Sequence, residues 1–179
     1  MPADAYPHDL LARAARIRLA CFDVDGTLTD GRLTYDSAGN ESKTFHVHDG
    51  QGLVLLRRAG IEVAMITART SPMVARRGAE LGVRVHCGVG DKLTRLTALC
   101  EELGLDLDSV AFMGDDLPDL APMRVAGFAV APANAHPWTA RHAHWQTTSV
   151  GGEGAARELC DLLLVAHGHA DNPLPGGAQ

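Results

Sequence analysis

The stretch at residues 16–29 constrains the fold of this chain more than any other. Its first half, Arg-Ile-Arg-Leu-Ala-Cys-Phe, is rich in apolar side chains and has no helical repeat, which favours a buried β-strand. Two carboxylates, Asp23 and Asp25, and a glycine, Gly26, follow directly. Polar groups at the carboxyl end of a buried strand lie where open α/β sheets form their ligand crevice. The stretch therefore predicts an α/β sheet with a functional site at this strand end.

Asp23 and Asp25 are also unusual electrostatically. Alternation along an extended chain places both side chains on the same side. Two neighbouring acids repel each other, and both stay charged only when a cation balances them. Either a metal ion binds there or one acid holds a proton. The stretch by itself also allows a solvated turn, because Asp and Gly are common turn residues.

Composition excludes several classes of function. The 179 residues are 46% hydrophobic and 4% aromatic, which is enough for one domain with a core largely of Ala, Val and Leu. A net charge of −6 without a long Lys/Arg run argues against nucleic acid as a partner. No run approaches the ~20 apolar residues of a membrane span. Without a signal-peptide pattern and with four dispersed cysteines, the chain is predicted to be cytoplasmic.

Strands alternate with helices along the rest of the chain. After the first strand, further strands are predicted at residues 61–66, 83–87, 109–113, 128–130 and 144–146, and helices at 8–15, 49–59, 71–81, 91–103, 117–123, after 137 and at 155–167. This alternation predicts an α/β fold, with a Rossmann-like parallel sheet and helices on both faces. Residues 151–154 (Gly-Gly-Glu-Gly) are interpreted as a flexible hinge before the last helix.

Residues 32–47 predict a β-hairpin inserted directly after the first strand. Two β-prone runs, 32–36 and 41–47, flank the turn sequence Ser-Ala-Gly-Asn. Such a flap would stand over the crevice or pair with another subunit, and it is too short to form a cap domain. The predicted organisation is an N-terminal extension at 1–15, one domain at 16–168 and a disordered tail at 169–179.

Polar residues of unusual type follow three of the predicted strands, and such strand ends converge on one crevice in this fold. They are Asp23 and Asp25 after the first strand, Thr67 and Arg69 after the second, Asp115, Asp116 and Asp119 after the strand at 109–113, and Lys92 at the start of an intervening helix. Taken singly, Asp115 and Asp116 are equally well explained as helix-capping residues, and Lys92 as a surface lysine. Their joint occurrence favours a site.

These residue types suit the hydrolysis of a phosphate ester. Asp23 would attack the phosphorus as a nucleophile and form an aspartyl-phosphate. Asp25 would protonate the leaving oxygen and then activate water. Lys92 and Mg²⁺, a hard ion that prefers oxygen ligands such as Asp23 and Asp115, would neutralise the dianion. Thr67 and backbone N–H groups would hold the phosphoryl oxygens.

The same segments resemble the four motifs of the haloacid dehalogenase superfamily: residues 23–29 (DVDGTLT), 67–69 (TAR), Lys92 and 114–119 (GDDLPD). Within that superfamily, the hairpin, residues 45–52 (FHVHDGQG) and residues 151–161 (GGEGAARELCD) are similar to the 3-deoxy-D-manno-octulosonate (KDO) 8-phosphate phosphatase family. The resemblance implies a capless, Mg²⁺-dependent enzyme that hydrolyses KDO 8-phosphate to KDO and inorganic phosphate in lipopolysaccharide biosynthesis.

The resemblance also implies specific roles and partners. Its metal ligands are Asp23, the Asp25 carbonyl and Asp115, supported by Asp116 and Asp119, while Arg69, Arg77 and Thr27 are expected to bind the substrate, a small phosphorylated sugar acid. Family members are homotetramers in which a neighbouring subunit closes each active site. Ala68, Asp91 and Glu153 depart from the family pattern, and these departures concern specificity.

Two other functions remain open from the sequence. One is a phosphatase for a nine-carbon 2-keto-3-deoxy sugar acid phosphate, which would use the same chemistry on a longer substrate. The other is a non-catalytic assembly module that uses the hairpin and the glycine-rich segment as interfaces. Retention of both Asp23 and Asp25 argues against the module.

Overall fold

The predicted strand ahead of Asp23 forms as β1, Leu19–Phe22, and all four of its residues are fully buried. In the computed structural model, which describes residues 6–169, β1 lies in the interior of a six-stranded parallel sheet and pairs with a strand on each side. Across the sheet the strands are β5 (Arg84–His86), β4 (Glu62–Ile66), β1, β6 (Val110–Met113), β7 (Phe128–Ala131) and β8 (Trp145–Gln146). The central strands are continuous apolar runs because both faces of the sheet are covered.

Helices cover both faces, which confirms the predicted α/β class. One layer consists of α1 (His8–Ala14), α2 (Val47–Arg58), α3 (Pro72–Leu81) and α7 (Ala155–Ala166); the other contains α4 (Lys92–Leu103) and α5 (Leu120–Val125), with the short α6 (Pro137–Ala140) near β7. Alternate residues of β1 separate the two cores. Ala20 and Phe22 pack into the first layer, and Leu19 and Cys21 into the second.

The helix ends follow from local sequence signals. Ser71 caps α3 by accepting a hydrogen bond from the Val74 N–H at 3.4 Å, and Gly82 ends that helix with a φ of +64°. Asp91 caps α4 in the same way, accepting from the Thr94 N–H at 3.0 Å. Asp91, a departure from the family pattern, therefore fixes the start of the helix whose first residue is Lys92.

Helix α2 begins earlier than the sequence predicted. It starts at Val47, so Gly50 and Gly52 lie inside the helix instead of opening it. A Cβ at Gly52 would crowd Cys160 of α7, and one at Gly50 would crowd Arg77 of α3. The prediction was wrong because these glycines permit close helix packing, which has no signature in the local sequence.

The predicted hairpin is confirmed, with β2 (Thr34–Tyr35) antiparallel to β3 (Glu41–Ser42). Asp36 fixes its turn, because its carboxylate accepts hydrogen bonds from the N–H groups of Ala38 and Asn40. The part of the extension that the structure describes packs on the domain: Arg13 donates to the Gly127 carbonyl at 2.6 Å. Nearly all of the predicted tail lies outside the described residues. Within residues 6–169 no helix has the length and apolar character needed to cross a bilayer.

Candidate active site

The three predicted strand ends meet in one pocket of about 300 Å³ at the carboxyl edge of the sheet. Its lining comprises Asp23, Asp25, Gly31, Thr67, Ala68, Arg69, Lys92, Asp115, Asp116, Pro118 and Asp119. Strands β1, β4 and β6 are neighbours in the sheet, so the residues that follow them are brought together although they are far apart in the chain. This pocket is the candidate active site.

A second groove, of about 360 Å³, lies at the opposite edge of the sheet. Its charged side chains already have partners within the chain. Arg84 pairs with Glu62 at 3.2 Å, and Arg57 donates to the Leu81 carbonyl at 2.6 Å. The groove therefore lacks the concentration of acids that marks the first pocket.

Lys92 joins two acids at the base of the pocket. Its Nζ lies 2.5 Å from Asp23 Oδ1 and 2.6 Å from Asp119 Oδ1, and all three side chains are almost completely buried. The Asp23 N–H donates to the Met113 carbonyl at 2.9 Å, which extends the β1–β6 pairing by one residue and holds Asp23 beside the end of β6.

Asp119 braces the loop after β6. Its second oxygen accepts hydrogen bonds from the N–H groups of Asp115 at 3.1 Å and Asp116 at 3.3 Å, while the exposed Asp116 caps the turn that contains Asp119. The helix-capping explanation therefore holds for Asp116, and the capped segment also lines the pocket. Asp119 holds the loop and Lys92 together, and Asp115 projects toward Asp23.

Asp23 and Asp115 lie in a site where burial and neighbouring acids disfavour their charged forms. Burial and the nearby Asp119 raise the pKa of Asp23 well above its usual range, although Lys92 opposes the shift. Burial and Asp119 likewise raise the pKa of Asp115 to about 6. Burial alone would lower the pKa of Lys92, but Asp23 and Asp119 outweigh it and the pKa is raised. One ammonium group does not balance these carboxylates, so the pocket favours a further cation.

The donor set fits Mg²⁺. Asp23, Asp115 and Asp119 each offer an oxygen, and these atoms lie within 4.8 Å of one another. Because Asp119 already accepts hydrogen bonds from Lys92 and two backbone N–H groups, Asp23 and Asp115 are the carboxylates suited to coordination. Gly26 belongs to this arrangement, since any side chain there would overlap the Asp115 carboxylate.

Known proteins are similar to this chain in sequence and in fold. A family model of haloacid dehalogenase-like hydrolases matches residues 88–159. The 3-deoxy-D-manno-octulosonate 8-phosphate phosphatase KdsC of Escherichia coli (strain K12) is 43% identical over 164 residues, covering 91% of this chain and 87% of that protein.

The chain belongs to the KDO 8-phosphate phosphatase family. A KDO 8-phosphate phosphatase from Moraxella catarrhalis, solved with a magnesium ion, a phosphate ion and KDO, has a TM-score of 0.90 and 44% identity, covering 93% of this chain and 96% of that one. A hypothetical protein from Xanthomonas campestris has a TM-score of 0.93 and 59% identity, covering 96% of this chain and 94% of that one. The family and the capless haloacid dehalogenase fold inferred from the sequence are confirmed.

Two of the residues that were expected to bind substrate, Thr27 and Arg77, do not line the pocket. Thr27 is completely buried, and among residues 6–169 its hydroxyl has no hydrogen-bond partner. Arg77 lies with its guanidinium carbon 6.0 Å from the centre of the Phe45 ring and pairs with Glu80 at 3.4 Å. Arg77 lines a separate small cavity beside Gly50, so within one chain its side chain lies outside the pocket.

Thr67 and Arg69 do lie in the pocket, as expected. Thr67 is buried, and its hydroxyl accepts a hydrogen bond from the Arg69 N–H at 3.2 Å. The Arg69 side chain is 40% exposed and pairs with Glu41 of the hairpin at 3.0 Å. Arg69 therefore presents a partly exposed guanidinium in the pocket, already paired with one carboxylate.

Sequence reasoning missed Glu41 and Lys43 of the hairpin. The Lys43 side chain is only 1% exposed; its Nζ contacts Asp25 Oδ1 and lies 3.3 Å from Glu41 Oε1. Two features of the sequence could have indicated this pair. Glu41 and Lys43 are two residues apart, which places both side chains on one side of an extended chain, and lysine is rare in this sequence.

The glycine-rich segment at 151–154 is a packed turn and not the predicted hinge. The Gly151 N–H donates to Asn134 Oδ1 at 2.9 Å, and the Gly152 N–H donates to the Thr27 carbonyl at 3.0 Å. Asp49 of α2 accepts from the N–H groups of Gly154 and Arg157 at the start of α7. The family signatures at 45–52 and 151–161 therefore meet, and together they support the loop that carries Asp25.

Proposed function

We propose that this chain hydrolyses KDO 8-phosphate to KDO and inorganic phosphate in lipopolysaccharide biosynthesis, with Mg²⁺ as cofactor. The observation that carries the proposal is the buried contact of Lys92 with Asp23 and Asp119, beside Asp115, in a member of this family. The cluster concentrates nucleophile, cation and metal-binding carboxylates in one pocket of a size suited to a sugar acid phosphate.

In the first half-reaction Asp23 attacks the phosphorus, and the bond between phosphorus and the sugar oxygen breaks. When bound, Mg²⁺ supplies positive charge that favours the ionised form of Asp23 and neutralises the phosphoryl oxygens. Lys92 and Thr67 hold those oxygens in the pocket. Asp25, at the rim, donates its proton to the leaving sugar oxygen, so that KDO departs as a neutral alcohol at that position.

In the second half-reaction Asp25 accepts a proton from a water molecule. The water oxygen attacks the aspartyl-phosphate, the bond between phosphorus and the Asp23 oxygen breaks, and inorganic phosphate is released. The two half-reactions return Asp23 to a carboxylate and Asp25 to its protonated form, so neither residue is consumed.

Arg69 is the proposed contact for the sugar carboxylate. Its guanidinium is partly exposed at the pocket rim, and the fork of N–H groups suits a carboxylate better than a single ammonium does. Ala68 and Glu153 are proposed to affect specificity. The runner-up substrate is a nine-carbon 2-keto-3-deoxy sugar acid phosphate, which would need the same carboxylate contact.

Assembly into a homotetramer is part of the proposal. The hairpin region exposes Leu33, Tyr35 and Val47, of which Val47 is 71% exposed. Large apolar side chains on a flap favour a protein contact, and a neighbouring subunit would complete each active site. Light scattering of the purified protein at several concentrations measures the assembly. A monomer at every concentration would contradict this part. A cytoplasmic location is likewise proposed.

The decisive experiment measures phosphate release from eight- and nine-carbon keto-deoxy sugar acid phosphates, with Mg²⁺ and with a chelator. We expect Mg²⁺-dependent turnover with a higher kcat/KM for KDO 8-phosphate. Equal or reversed preference would replace the substrate assignment with the nine-carbon alternative. Absence of turnover on every sugar phosphate would favour the non-catalytic module.

A further inference from the structure

The two lysines of this chain each contact one aspartate of the first motif. Only two of its 16 Lys and Arg residues are lysines, and the other 14 are arginines. Lys92 contacts Asp23, and Lys43 contacts Asp25, with 4% and 1% of their side chains exposed. Lysines are almost never buried unless paired. Each aspartate of the first motif therefore has its own buried ammonium partner.

The surroundings of Lys43 are charged and not simply apolar. Its Nζ contacts Asp25 Oδ1 and lies 3.3 Å from Glu41 Oε1. Glu41 also accepts from Arg69 at 3.0 Å, which forms a chain of alternating charges from the pocket rim to Asp25. A buried ammonium persists only when such carboxylates compensate its lost hydration. The hairpin therefore contributes a group at the active site, although it lies outside the α/β sheet.

We propose that Lys43 is a positioning residue that acts through Asp25, a role that rests on the proposed function. The ammonium group holds the Asp25 carboxyl toward the hairpin and away from the acids at the base of the pocket, Asp23 and Asp115. Asp25 still lines the pocket, where its side chain is 21% exposed, so its carboxyl remains accessible to a bound phosphate ester. Lys92 serves phosphate binding at Asp23, and Lys43 serves proton transfer at Asp25.

Lysine suits this place better than arginine does. Its ammonium is a compact point charge on a flexible stem, whereas a guanidinium is a wide planar fork. The contact combines nearly complete burial with two acceptors on different segments, Asp25 in the loop after β1 and Glu41 in β3. A wider group would separate Asp25 from Glu41.

The competing explanation is that Lys43 only attaches the hairpin to the domain. Two substrates that differ in their leaving groups distinguish the two explanations. KDO 8-phosphate has an alkoxide leaving group that needs a proton, whereas the aryl oxygen of p-nitrophenyl phosphate departs without one. A residue that acts through Asp25 affects the first substrate far more than the second. A tether that merely orders the pocket affects both.

The experiment compares wild type, Lys43→Met, Asp25→Asn and the double variant on both substrates with Mg²⁺. For Lys43→Met we expect kcat on KDO 8-phosphate to fall about 10²-fold, within the range of general acid–base contributions, with KM changed by less than about threefold. On p-nitrophenyl phosphate the loss should stay under about fivefold. In the Asp25→Asn background, Lys43→Met should cause no further loss.

Arg32→Met is the matched control, because it removes a positive charge from the same hairpin at a side chain that is 86% exposed. It should leave both substrates unaffected. Equal losses on the two substrates, or additive losses in the double variant, would reduce Lys43 to a tether. A wild-type chain inactive on both substrates would remove the proposed function and the role of Lys43 together. An active wild type that tolerates Lys43→Met would remove that role alone.

Discussion

At the scale of single residues, the site depends on acids that are tolerated only because specific cations lie beside them. Asp23, Asp115 and Asp119 lie close together in a buried region, and Lys92 contacts two of them. Removing one acid therefore changes the chemistry and the charge balance at once.

Asp23→Asn should abolish turnover while leaving the fold intact. An amide is a poor nucleophile, and it also removes one carboxylate from the metal site. Lys92 keeps Asp119 as a partner, so the buried ammonium stays paired. We expect kcat to fall by at least about 10³-fold, measured as phosphate release, with an unchanged circular dichroism spectrum. Near-normal rates in this variant would exclude Asp23 as the nucleophile.

Mg²⁺ affinity should depend on pH through Asp115. The pKa of this carboxyl is raised to about 6, so below pH 6 a proton occupies the group and must leave before the ion binds. Apparent affinity should therefore fall only slightly between pH 7 and 6 and then more steeply below pH 6, toward about tenfold per unit for each proton displaced. Calorimetric titration with Mg²⁺ at several pH values measures this. A flat profile would contradict the ligand assignment.

At the scale of elements, the site is supported by segments that pack against the loop after β1. The turn at 151–154 lies on this loop, and Asp49 links α2 to the start of α7. Glu158 fixes the preceding segment by accepting hydrogen bonds from the N–H groups of Thr148 and Ser149. The loop after β1 is therefore held from outside the sheet.

Gly151→Ala should disrupt this support. A Cβ at Gly151 would overlap the carbonyl oxygen of Gly26, a backbone atom that cannot move without displacing the Asp25 loop. We expect a loss of about 2 kcal/mol in the free energy of unfolding and at least a tenfold lower kcat. Urea denaturation and phosphate release measure the two effects.

Gly90→Ala is the control for that substitution. A Cβ at Gly90 meets open space, and its backbone does not lie in the left-handed region. The substitution should change the free energy of unfolding by less than about 0.5 kcal/mol and leave turnover unchanged. Similar effects of the two substitutions would show that the contact with Gly26 is not the cause.

At the scale of the whole molecule, metal binding and folding are linked. An ion that binds only the folded chain stabilises it by about 2.7 kcal/mol at 100 times its Kd. Thermal unfolding at pH 8 should therefore show a higher Tm with Mg²⁺ than with a chelator. Asp115→Asn should lose most of that increase because it removes a ligand.

Without metal, Asp115→Asn should have the opposite effect on the stability of the folded chain. Because the pKa of Asp115 is raised to about 6, the group is ionised above that pH, and its ionisation there costs the folded chain stability. In a chelator at pH 8, Asp115→Asn should therefore be more stable than wild type, by about 1 kcal/mol. A less stable variant under these conditions would show that Asp115 contributes packing that outweighs the repulsion.

The sequence by itself determined the α/β class, the hairpin and the strand-end residues of the pocket. These follow from local patterns: buried strands are apolar runs, Gly and Asp mark turns and caps, and parallel strand ends share one edge. The tertiary structure alone decided the rest. Lys43 reaches Asp25, Arg77 lies outside the pocket, and the turn at 151–154 packs on the loop after β1. Such contacts join residues far apart in the chain, and local periodicity carries no information about them.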